Sequence, residues 1–180
     1  MAAGKHVAFL RGINVGKAKR IAMADLRKLV EGLGYTDVHT LLNSGNVVFR
    51  APRGVKGEPA ARIEKAINAE LGVASRVTVL TAAELTTVVE ENRLLPMADN
   101  PSRLLAAVLN PAADRASVDP LLKQDWTPDG FSIGTHAAYL WCSGGILESR
   151  LAKMFDKVFR DNATTRNWAT ILKLHAMASE

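Results

Sequence analysis

The chain has 180 residues, 48 % hydrophobic and 23 % charged, a balance that excludes a disordered or fibrous protein. Its net charge is +5, and its length is enough to bury a core without a disulfide or metal staple. The single cysteine, Cys142, rules out an intramolecular disulfide and points to a reducing compartment. The apolar run at 7–10 is too short for a signal-peptide core or a membrane span, so a cytoplasmic protein without membrane association is expected.

Residues 7–10 precede a glycine and read as a buried strand. Met23, Leu26, Leu29, Val30 and Leu33 recur at helical spacing, with Gly34 as the stop. Residues 37–42 and 46–50 flank Asn43-Ser44-Gly45 and read as a hairpin. Ile63, Ala66, Ile67 and Leu71 form a second helical stripe ending at Gly72, and 76–80 are β-branched enough for a strand. Thr81-Ala82-Ala83-Glu84 is a capping box for a helix through about Glu91. This order, β-α-β-β-α-β, is the split pattern of ferredoxin-like folds.

Pro96 and Pro101 interrupt both periodicities, which sets a linker at 93–102 between subdomains 1–92 and 103–180. Residues 104–109 read as a strand. Asn110-Pro111 and Asp119-Pro120 each place a capping side chain before a proline, for one or two short helices. Residues 131–133 and 138–141 form a second hairpin. Leu147, Leu151, Met154, Phe155, Val158 and Phe159 make the strongest helical stripe, and Trp168, Ile171, Leu172 and Met177 a last helix. The expectation is an α+β protein of two ferredoxin-like subdomains, the second lacking its final strand, packed as one unit.

Four of the five net positive charges sit in residues 11–20, where Arg11, Lys17, Lys19 and Arg20 occur without an acid. Such a loop is either solvated for solubility or selected by an anionic ligand. Gly12, Gly16 and Lys17 have the flavour of a phosphate loop. Only three residues separate the glycines, though, and Ala18 stands where a Walker loop needs Ser or Thr. A generic anion site survives. In the split topology the loop leaving the first strand and the hairpin leaving the second emerge at one end of the sheet. Ser44, Gly45 and Asn46 are therefore expected beside Arg11, Asn14, Lys17 and Arg20.

Other chemistries find less support. RNA binding on the sheet face would need stacking aromatics, and the strands offer only Phe9 and Phe49, both suited to the core. Cys142 has no cation beside it to lower its pKa. His6, His39, His136 and His175 lack ligand spacing, so neither metal nor cofactor is expected. No nucleophile, general base or paired carboxylate stands out, and whether the chain is an enzyme stays open. Thr164 or Thr165 is a candidate cap for the last helix, with Trp168 packing on Phe155 and Phe159. Alternatively Arg166, Asn167 and Trp168 form a ligand edge.

LRGINVG at 10–16, MADLR at 23–27, NSGNVVF at 43–49 and TTRNW with LKL at 164–174 together resemble the bacterial family called domain of unknown function 1697. The resemblance implies a compact α+β fold of two ferredoxin-like subdomains and brings no established activity. The matches fall on Arg11, Gly12, Asn14, Val15 and Gly16, on Ser44, Gly45 and Asn46, and on Thr165, Arg166, Asn167 and Trp168. The chain departs from the family at Lys17, where a second glycine is usual, and at Ala169, where Asn is usual. It departs again at Glu148, which replaces a cation before the long helix. The leading expectation is a phosphorylated or otherwise anionic small ligand at the first loop. The alternatives are an enzyme acting on a nucleotide or phosphate ester there, a weak nucleic-acid binder, and a protein-interaction module.

Overall fold

The computed structural model describes residues 4–180. Their order is β1 (Lys5–Leu10), α1 (Met23–Gly32), β2 (Thr36–Leu41), β3 (Asn46–Arg50), α2 (Pro59–Leu71), β4 (Val77–Thr81) and α3 (Ala82–Glu90). Then come β5 (Leu104–Leu109), α4 (Asp119–Leu122), β6 (Gly130–Ile133), β7 (Ala137–Trp141), α5 (Arg150–Phe159), β8 (Ala163–Asn167) and α6 (Trp168–Ser179). It is a mixed α+β protein with two four-stranded sheets, in which all paired strands are antiparallel. Contacts divide the chain into two units. The first runs to Leu85 and takes in Leu174–Glu180; the second is Thr86–Lys173.

In the first unit the sheet order is β2-β3-β1-β4. Ala8, Leu10, Val47, Phe49 and Val77 pack with Leu26, Leu29 and Val30 of α1 and Ile63, Ala66 and Ile67 of α2. Both helical stripes follow the predicted spacing. Gly72 ends α2 in a left-handed C-cap at φ 66°, which spares a side chain the strain of that conformation. The capping box forms reciprocally: the Glu84 N–H donates to Thr81 Oγ1 at 3.1 Å, and the Thr81 N–H to Glu84 Oε2 at 2.8 Å. Phe9 and Phe49 are fully buried, so neither presents a stacking surface. At the edge of the sheet Asp37 adopts φ 51° where the β2–β3 register shifts. His39 Nε2 lies 2.8 Å from its carboxylate, Arg50 Nε 3.3 Å and Lys5 Nζ 3.6 Å.

The second unit repeats this order as β6-β7-β5-β8. Its sheet is therefore complete, which corrects the expectation of a missing strand. Residues 163–167 pair with β5 from Leu105↔Asn167 to Leu109↔Ala163. Their polar composition hides the strand, because Thr164 and Arg166 are buried without being apolar. Asn167, not a threonine, caps α6: its Oδ1 accepts from the Thr170 N–H at 2.9 Å. Trp168 meets Tyr139 edge-on, with ring centroids 6.4 Å apart, rather than Phe155 and Phe159, which stack on each other.

Leu147 is 85 % exposed and precedes α5, whose buried stripe is Leu151, Phe155 and Phe159 and whose N-cap is Ser149. Asp114 caps the short 3-10 turn at Arg115–Val118, whereas Asp119 begins α4 without capping it. Residues 93–102 are mainly turns, with Leu94 buried. The Glu91 carboxylate accepts the Thr135 N–H at 2.6 Å and hydroxyl at 2.7 Å, tying the end of α3 to the β6–β7 hairpin. These two bonds hold Glu91 below its ordinary pKa.

Candidate basic site at one end of the first sheet

Strand β1 is antiparallel to β3, and β3 to β2, so β1 and β2 leave the sheet at the same end. The β1–α1 loop and the β2–β3 hairpin are there in direct contact. The Leu10 N–H donates to the Gly45 carbonyl at 2.8 Å. Asn14 makes the main connection. Its Nδ2 donates to the carbonyls of Ile21 at 2.9 Å and Asn43 at 2.7 Å, and its Oδ1 accepts the Ile21 N–H at 2.9 Å. Both amide hydrogens are thus spent on the backbone. The loop is closed on itself, and Asn14 pins it to the hairpin. Asn14 sits at φ 54°, a region that asparagine tolerates better than most residues.

The hairpin is shaped by close approach. At Gly45, with φ 91°, a Cβ would lie 2.7 Å from Leu10 Cβ and 2.8 Å from Ile13 Cδ1. Only glycine lets the turn sit this near the loop. Asn46 is fully buried, and its Nδ2 donates to the Leu41 carbonyl at 2.8 Å and to Ser44 Oγ at 3.0 Å. Gly12 and Gly16 also have positive φ, 68° and 65°, but a Cβ at either would meet open space. They serve the course of the loop rather than a close approach.

A third segment, 72–76, reaches the same end because β4 enters antiparallel to β1. The Arg11 N–H donates to the Arg76 carbonyl at 3.0 Å, and Ser75 Oγ donates to the Arg11 carbonyl at 2.8 Å. Arg76 thereby joins the basic group, a residue that sequence reasoning does not single out. The expected β-α-β-β-α-β order already implies it, since the fourth strand starts where the first ends. Segments 11–22, 42–45 and 72–76 hold five cations and no carboxylate. The acids next along the chain are Asp25 and Glu70. Lys17, Lys19, Arg20 and Arg76 are exposed, Arg11 is half-buried, and no ion pair engages those four exposed cations among the described residues.

Of the expected site residues, the structure therefore groups Arg11, Gly12, Asn14, Gly16, Lys17, Arg20, Ser44, Gly45 and Asn46. Arg166, Asn167 and Trp168 belong to β8 and α6 of the second unit. Arg166 is largely buried and donates to the Thr165 carbonyl at 3.0 Å. Cys142 is fully buried after β7, and burial raises its thiol pKa, with a hydrogen bond to Ser149 acting in the opposite sense. Among the described residues no group of three or more His, Cys, Asp or Glu is placed to hold a metal ion. Among the described residues no helix is long and apolar enough to cross a membrane.

The chain belongs to the family described as protein of unknown function DUF1697, whose model matches residues 4–139. A solved structure, that of conserved bacterial protein SP0830 from Streptococcus pneumoniae, superposes with a TM-score of 0.82 at 20 % identity. The match covers 98 % of this chain and 99 % of that one, and at this identity it speaks to the fold alone. A search of curated proteins finds no match.

Proposed function

We propose that the β1–α1 loop binds a phosphorylated or otherwise anionic small ligand. The observation that carries this reading is a set of exposed cations, Lys17, Lys19 and Arg20, on a loop whose shape is fixed by the Asn14 carboxamide. A pinned loop lowers the ordering cost that flexible cations incur on binding. Lys17 and Arg20 supply charge, joined by Arg76. Asn14 and Asn46 orient the loop and hairpin, since their amide hydrogens are occupied within the protein. The strand order common to the two sheets supports reading each unit as a ferredoxin-like module. The single free cysteine supports a cytoplasmic site of action.

The test is a thermal-shift and calorimetric screen against inorganic phosphate, pyrophosphate and nucleotides. A ligand at a hundred times its dissociation constant stabilises the native state by about 2.7 kcal/mol. Replacing Lys17 and Arg20 by Gln should abolish that gain while leaving the unliganded protein folded. Unchanged affinity in the double variant refutes the reading. Turnover of a bound phosphate ester by the wild type would establish the enzymatic alternative at the same loop.

A further inference from the structure

The basic end of the first unit also carries two exposed aliphatic side chains, which a small phosphate leaves unexplained. Val15 is 72 % exposed and Leu42 is 54 % exposed. They flank the brace that joins loop to hairpin: Val15 follows Asn14, Leu42 precedes Asn43, and Asn14 Nδ2 donates to the Asn43 carbonyl. Leu42 holds φ 59°, a left-handed conformation uncommon for leucine and one the fold retains at an exposed hairpin. The segments that meet at this end carry Lys17, Lys19, Arg20 and Arg76, with no acid in any of the three. Aliphatic tips set among cations are complementary to a surface that is anionic outside and hydrocarbon just beneath.

We propose that this end of the first unit docks peripherally on an anionic phospholipid bilayer. Val15 and Leu42 enter the interface, and Lys17, Arg20 and Arg76 lie against headgroup phosphates. The proposal deepens the anion-binding reading and rests on it. A nucleic-acid strand fits less well, because such surfaces use aromatic platforms and segments 11–22, 42–45 and 72–76 contain no aromatic residue. The sequence-based expectation of no membrane association rests on the want of a spanning segment. Peripheral docking needs none, and the cytoplasmic leaflet carries the matching negative charge.

The experiment is co-sedimentation of the full chain with vesicles of equal parts phosphatidylcholine and phosphatidylglycerol, against vesicles of phosphatidylcholine alone. Binding is expected only to the anionic vesicles and should weaken with added salt. Each basic residue near such a surface changes partitioning by roughly fivefold, so Lys17→Gln, Arg20→Gln and Arg76→Gln together should cost about a hundredfold. Val15→Ser with Leu42→Asn should cost roughly tenfold, and asparagine suits the left-handed position, so this variant keeps its fold. If that variant partitions like the wild type, the docking proposal is overturned and the anion-binding reading stands. Docking is likewise overturned if pyrophosphate stabilises the wild type while anionic vesicles do not retain it. If neither binds, both readings fail. Retention on single-stranded DNA without retention on vesicles moves the surface to nucleic acid and overturns the bilayer.

Discussion

Replacing Asn14 by Ala tests how strongly its side chain holds the loop to the hairpin. The substitution removes three hydrogen bonds, to Ile21 twice and to Asn43 once. Each is worth roughly 1 kcal/mol net, and the accessible Asn43 carbonyl recovers part of its share from water. Ile21 is buried, so its N–H has less recourse to water. Alanine at φ 54° adds roughly 1 kcal/mol of backbone strain. The expected loss is about 3 kcal/mol. Asn14→Gly removes the same bonds without the strain and should recover roughly 1 kcal/mol of it. Urea denaturation followed by far-UV circular dichroism is the assay, since Trp126, Trp141 and Trp168 all lie in the second unit. Amide exchange at Leu10 and Ile21 should accelerate in parallel. A loss within about 0.5 kcal/mol of zero for Asn14→Ala would refute the brace.

Gly45→Ala should destabilise by more than about 2 kcal/mol, because its Cβ meets Leu10 and Ile13, whereas Gly12→Ala should cost only roughly 1 kcal/mol of backbone strain; equal losses in denaturant titrations would contradict the close approach. Thr135 holds the Glu91 carboxylate below its ordinary value of 4.5, so its contribution is present above that pH and is lost as pH falls through the depressed folded-state pKa. The stability gap between wild type and Glu91→Gln should therefore narrow below about pH 4.5, and a gap that widens with acid would reverse the assignment. Cys142, buried and with a raised pKa, should resist thiol reagents at neutral pH and react stoichiometrically in denaturant; rapid labelling of the native protein would disprove its inertness.

Much of the first unit is legible in the sequence because its signals are local. The stripes of α1 and α2, the Gly72 stop and the Thr81–Glu84 box are each decided within a turn or two of chain. The convergence of loop and hairpin follows from strand order, which that local pattern constrains. Strand β8 escapes because burial there is satisfied by Thr164 and Arg166, residues that carry no apolar alternation. Leu147 misleads for the converse reason: an apolar residue in helical phase stays in solvent when Ser149 starts the helix two residues later. Asn14 reads in the sequence as a ligand contact, and its employment in the backbone depends on Ile21 and Asn43 meeting it from two segments. No spacing rule contains that information.

The left-handed Asp37 on β2 bears on how molecules of this protein behave toward one another. An edge strand offers an open row of amides and carbonyls to any incoming strand, the usual starting point of sheet-to-sheet aggregation. At Asp37 that row is interrupted, since the β2–β3 register shifts between Thr36 and His39. The interruption is also charged, with His39, Arg50 and Lys5 gathered on one carboxylate. An approaching strand would find its ladder out of step after one residue and would have to strip water from several ions. A register shift and a charge cluster of this kind are features with which edge strands resist pairing with other sheets.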